Sequence, residues 1–120
     1  MPRRLVVKVT SGAEALERCT QAFTVSAVAV ASGVPVSLWL TGEASWLALP
    51  GRAEELGLPH SAPLAELRDA VLAGGTLTLC TQCAARRDIG PDGVLPGVRL
   101  AGAAVFVAEA LEDGAQALVY

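Results

Sequence analysis

The 120-residue chain is 52% hydrophobic and 18% charged, with a formal net charge of −3 at pH 7. That composition lies far from the disordered class, and the length fits one folded domain over residues 1–120. The acidic balance offers no cluster of Lys and Arg to neutralise a run of phosphates, so nucleic acid is not an expected partner.

The chain starts Met1-Pro2-Arg3-Arg4. The apolar run that follows, Leu5 to Val9, is interrupted by Lys8 and is too short for a signal-peptide core, so a cytoplasmic protein is expected. The same β-branched run predicts a first strand ending at the loop Thr10-Ser11-Gly12. From Ala13 to about Ala31, Leu16, Cys19, Phe23 and Ala27 recur at helical spacing, and Gly33 with Pro35 ends the helix. Val34 to Leu40 reads as a buried second strand, closed by Thr41-Gly42-Glu43. The stretch from Ala22 to Leu40 carries Thr24, Ser26, Ser32, Gly33, Pro35 and Ser37, which argues against a membrane span and for a helix, a turn and a strand.

Between Ala44 and Pro63 an irregular region has room for short helices around Trp46-Leu47-Ala48 and Arg52 to Leu56. Pro63 is placed to open a helix through Leu64, Leu67, Val71 and Leu72 that ends at Gly74-Gly75. A third strand, Thr76 to Leu79, delivers Cys80 to a strand end, and Thr81 to Arg87 predicts the first turns of another helix. A loop from Gly90 to Gly97, a last long helix from about Ala101 to Glu112 and a final strand from Ala115 to Tyr120 complete the reading. Strands alternating with helices imply a three-layer α/β/α fold around a mainly parallel sheet of four or five strands, flavodoxin-like in outline. Ligands and chemistry in such sheets collect at the carboxyl ends of the strands. Three loops fall there: 10–12, 41–43 and 80–83.

Three cysteines, an odd number in a chain without a secretion signal, point to reduced thiols rather than a disulfide framework. Cys80 lies at a helix start, where backbone N–H groups favour the thiolate, and Arg86 and Arg87 follow one to two turns on. The bland alternative is a small buried side chain at a strand end. Cys83 is either a second thiol able to pair with Cys80 or a small helix residue, and Cys19 is core packing. The pair in Cys80-Thr81-Gln82-Cys83 suits thiol-disulfide exchange but comes too late in the chain for a thioredoxin fold. Cys19, Cys80, Cys83 and His60 would have to converge from three distant places to hold zinc, so no metal is expected. His60 sits in a polar loop, no acid/base pair stands out, and Thr10-Ser11-Gly12-Ala13 has too few glycines for a phosphate loop, so no cofactor is expected either.

The order Val-Lys-Val-Thr-Ser-Gly, then Val-Ser-Leu-Trp-Leu-Thr-Gly-Glu, then Leu-Cys-Thr-Gln-Cys-Ala-Ala-Arg-Arg resembles the DsrE-like family, small sulfur-relay proteins of the TusD type. The resemblance covers Leu5 to Tyr120 and is specific around Cys80. It implies that Cys80 carries sulfur as a persulfide and passes it between a donor and an acceptor protein, with Arg86 and Arg87 at the positions of the family's arginines. Asp88, with Gly90 two residues on, departs from the glycine that the family tends to have next. The resemblance also implies an oligomer, such as a homotrimer or hexamer. With the loop residues Thr10, Ser11, Gly12, Thr41, Gly42 and Thr81, these positions form the expected site, in which Cys83 would release the sulfur by closing a disulfide with Cys80. Two other functions stay open: a non-catalytic oligomeric or small-ligand-binding module of the same fold, and a thiol-disulfide oxidoreductase using Cys80 and Cys83.

Overall fold

A computed structural model describes residues 3–120. Five strands, β1 (Arg4–Val9), β2 (Val36–Leu40), β3 (Thr76–Cys80), β4 (Arg99–Ala101) and β5 (Ala115–Val119), form one sheet in the order β4-β3-β2-β1-β5. Every neighbouring pair is parallel. Four α-helices, α1 (Leu16–Ala31), α2 (Leu64–Gly74), α3 (Thr81–Arg86) and α4 (Ala103–Ala110), alternate with the strands. The expected α/β fold with a parallel sheet is therefore present, with five strands.

Alternation along the strands sorts side chains between the two faces. Val7, Val9, Leu38, Leu40, Leu77 and Leu79 join Phe23 of α1, Val71 of α2 and Ala84 of α3 in one apolar cluster. The intervening positions turn to α4, where the Trp39 and Phe106 rings meet edge to face with centroids 5.4 Å apart. Lys8 Nζ lies 5.1 Å from the centroid of the same Phe106 ring. Helices thus cover both faces, three on one side and one on the other.

The expected last helix needs correction at its start. Arg99–Ala101 is a strand paired with β3, Gly102 caps the helix, and α4 ends at Ala110. Arg-Leu-Ala carries no strand pattern of its own; it pairs because Arg99 Nε donates to Thr78 Oγ1 at 2.9 Å and Arg99 Nη2 to Glu109 at 2.7 Å. Helix one is also shorter than expected: Ala13–Ala15 form a 3-10 turn and the α-helix begins at Leu16. The region after β2 is 3-10 over Gly42–Ala48 and again over Ala53–Glu55. No helix among the described residues is long and apolar enough to cross a membrane.

Candidate functional site

The chain passes from β1 through β2 and β3 to β4 on one side of the sheet and then returns across the sheet to β5. Its connections therefore leave β3 and β4 toward opposite faces: α3 places Ala84 in the cluster with α1 and α2, and α4 places Phe106 against Trp39. Adjacent strand ends whose connections part in this way are where parallel α/β sheets hold their chemistry. Cys80 stands at this point, level with Ala101 of β4. Gly102 opens α4 so close to Thr81 that a Cβ there would lie 3.3 Å from Thr81 Oγ1.

The neighbouring loops are locked together. Gly42 has φ +53°, and a Cβ there would collide with the Thr10 carbonyl oxygen, so both its conformation and its surroundings demand glycine. A Cβ on Gly12 would lie 2.6 Å from the Glu43 carbonyl oxygen. Thr41 Oγ1 donates to the Val9 carbonyl at 3.0 Å, tying the end of β2 to β1. Thr10 donates through both N and Oγ1 to the Tyr120 carbonyl, at 3.1 and 2.8 Å. Ser11 is buried, and its Oγ has no hydrogen-bond partner.

Cys80 is half-buried and Cys83 buried, and all three cysteines are free thiols. Burial is the largest single influence on Cys80 and works against ionisation. The N–H groups of Cys83 and Gln82, the Cys83 side chain and the Lys8 charge together outweigh it and hold the thiol below its ordinary value. Cys19 shows the opposite case: burial, with a contribution from Glu14, pushes its thiol up to about 12, and it lies in the core.

Around Cys83 the contacts come from two directions. The Gly42 N–H donates to Cys83 Sγ at 3.3 Å, and Arg86 Nη1 approaches the same sulfur at 3.8 Å. Arg87 Nη1 donates to the Cys83 carbonyl at 3.1 Å, while its Nε and Nη2 hold Glu43 Oε2, each at 2.9 Å. Trp46 Nε1 donates to the same carboxylate at 3.3 Å, and the Arg52 guanidinium lies 4.6 Å from the centroid of the Trp46 ring. Trp46, Arg52 and Arg87 line a cleft together with Leu49, Asp88 and Ile89.

The sequence profile of the DsrE/DsrF-like family matches residues 3–120. The chain belongs to the DsrE/DsrF-like family. Membership in the DsrE/DsrF-like family supports a role connected with sulfur relay and with sulfur-relay partners. No curated protein sequence matches the chain. Among solved structures, YchN from E. coli superimposes with a TM-score of 0.78 at 15% identity, over 100% of both chains. MTH1491 from Methanobacterium thermoautotrophicum, a protein of unknown function, gives 0.75 at 11%, over 98% of this chain and 99% of its own. BT1422 from Bacteroides thetaiotaomicron, also of unknown function, gives 0.64 at 13%, over 98% and 94%. These likenesses are of fold.

Of the residues expected at the site, Gly42, Cys80, Cys83 and Arg86 converge, with Arg87 holding the rim. Thr10, Gly12 and Thr41 brace the adjoining loops instead of presenting free polar groups. Thr81 is exposed beside Gly102. Among the described residues no three His, Cys, Asp or Glu side chains come together to hold a metal ion. Lys8 and Gly102 went unforeseen as parts of the site. A charge inside an apolar strand was the available signal for Lys8; Gly102 had none while β4 was unrecognised.

Proposed function

We propose that the chain is a sulfur carrier in which the Cys80 thiolate accepts sulfane sulfur as a persulfide and passes it to an acceptor. The thiolate attacks the terminal sulfur of a donor persulfide, the donor leaves as its own thiolate, and Cys80 retains the sulfur as a persulfide. The observation that carries this reading is the half-buried Cys80, at the carboxyl end of β3 beside β4, with its thiol held below its ordinary pKa. N–H donors suited to a thiolate are equally suited to a persulfide anion, and no general base is needed. Arg86, Arg87 and Thr81 form the surface that meets donor and acceptor, braced from beneath by the loops of Thr10, Ser11, Gly12, Thr41 and Gly42. Three free thiols suit a reducing, cytoplasmic setting.

Intact mass spectrometry after exposure to a persulfide donor is the test. In Cys83→Ser, which keeps the accepting thiol alone, the expected result is an adduct of about +32 Da mapped to Cys80, absent once Cys80→Ser is added. An unmodified Cys80 would leave a non-catalytic module of the same fold as the better reading.

The carrier works as a homo-oligomer, a trimer or a hexamer. The outward side of α4 supports this: Val105, Val107 and, just past the helix, Leu111 are exposed, and so is Val119 of β5. Light scattering should return a multiple of the chain mass, and Val107→Asp should lower it. A wild-type protein that scatters as a single chain contradicts the assembly.

A further inference from the structure

Accepting sulfur on Cys80 leaves the second thiol of the site without a task, yet that thiol is held in a built environment. Cys83 is 8% exposed. A buried cysteine among apolar groups is inert, because burial disfavours its charged form. Cys83 differs from Cys19 in having two donors on its sulfur, the Gly42 N–H at 3.3 Å and Arg86 Nη1 at 3.8 Å. The first comes from another strand end, at a position that admits only glycine. Both place positive charge against the sulfur. Cys80 caps α3 and Cys83 follows three residues on, so the two lie on one side of the first turn.

We propose that Cys83 makes this protein a sulfide-releasing dithiol, an activity that rests on Cys80 being the residue that accepts the sulfur. The Cys83 thiolate attacks Sγ of the protonated Cys80 persulfide. A disulfide bond forms between Cys80 and Cys83, the bond from Cys80 Sγ to the carried sulfur breaks, and that sulfur leaves as HS⁻ with its proton and the bonding electron pair. The carried sulfur is reduced and the two thiols are oxidised. A dithiol reductant then opens the disulfide and resets the protein. Arg86 acts in this step as a positioning residue, through the Cys83 sulfur that it approaches at 3.8 Å.

The experiment loads the reduced protein with inorganic polysulfide, removes excess polysulfide without reductant, and follows hydrosulfide with a bimane trap alongside intact mass. The wild type should release about one hydrosulfide per chain and end about 2 Da lighter than its reduced form. Cys83→Ser should hold about +32 Da on Cys80 and release it at least about tenfold more slowly. With release scored per Cys80 persulfide loaded, Arg86→Gln, at an exposed position, should release more slowly, and Arg86→Lys should recover most of the rate. Equal release from the wild type and Cys83→Ser, or sulfur that moves to Cys83 without a disulfide, overturns the proposal. If Cys83→Ser holds sulfur on Cys80 while the wild type releases none, only the release step falls. If neither protein takes sulfur at Cys80, the carrier reading falls with it.

Discussion

On the side of α1 and α2 the sheet presents Val7, Val9, Leu38, Leu40, Leu77 and Leu79 to Phe23 and Val71, and the cluster they form is buried. On the side of α4 the same strands carry Lys8 over the Phe106 ring, Ser37, Trp39 and Thr78, and β4 adds Arg99, which bridges Thr78 to the carboxylate of Glu109. Glu109 is 4% exposed and accepts from Ser37 Oγ at 2.6 Å, Trp39 Nε1 at 3.0 Å and Arg99 Nη2 at 2.7 Å. Arg4 adds a longer contact at 3.6 Å. One face is held by removing apolar surface from water and the other by hydrogen bonds that converge on one buried charge. The second arrangement is more demanding, because removing one partner strands the rest. It also places charge near Cys80, which the dry face could not do.

Phe23→Ala tests the dry face and should have the largest effect. Loss of a fully buried ring costs about 3–5 kcal/mol, read as a lower midpoint in urea unfolding with an unchanged slope. A cost under about 1 kcal/mol would mean that α1 does not carry the core.

Glu109→Ala tests the polar face and should cost about 3 kcal/mol, since the Arg99 guanidinium and the Trp39 and Ser37 donors lose their acceptor. Glu109→Gln, which keeps the shape, should cost about 1–2 kcal/mol. These losses depend on pH. Burial works most strongly against ionisation of Glu109, yet the bonds from Ser37, Trp39 and Arg99 outweigh it and lower the carboxyl pKa from its ordinary 4.5. A depressed acid stabilises the fold fully above its unfolded value, and that contribution disappears as the pH falls through the folded value. The gap between wild type and Glu109→Gln should therefore be full at pH 6 and shrink below about pH 4.5, as measured by urea titrations across that range. A gap that widens in acid would contradict the assignment.

Lys8→Met should give the smallest change and reports on chemistry rather than stability. Removing the charge raises the Cys80 pKa, so the pH midpoint of Cys80 alkylation by iodoacetamide should move upward, and Lys8→Arg should return it. An unmoved midpoint would show that the backbone N–H groups of Gln82 and Cys83 suffice.

Much of the fold was legible from periodicity. The runs Leu5–Val9, Val36–Leu40 and Thr76–Leu79 are strands, and the helices through Phe23 and through Val71 follow their apolar spacing; burial of Phe23, Cys19 and Ala22 outweighs the weak helix preference of Val25, Val28 and Val30, of which Val28 is exposed and the other two only half-buried. β4 was not legible. Three residues carry no period, and what makes them a strand is the pairing of Arg99 with Thr78 and Glu109, which lie 21 and 10 residues away in the chain. Ser37 was equally silent, since a lone serine in an apolar strand does not announce a buried carboxylate 72 residues on.

The same division runs through the site. The order of residues alone set Cys80 at a strand end with a helix after it, three residues before Cys83, because strand and helix periods are local and a turn separates them. Which face Cys80 occupies, that Lys8 and not an arginine supplies charge to it, and that Gly42 and Arg86 attend Cys83 were decided only by the tertiary structure. The strand-end position of Cys80 faces a change of crossover direction because β4 inserts at the edge beside β3 and sends its helix to the opposite face. That placement depends on strand order and crossover direction, which are properties of the packed sheet and of no segment by itself.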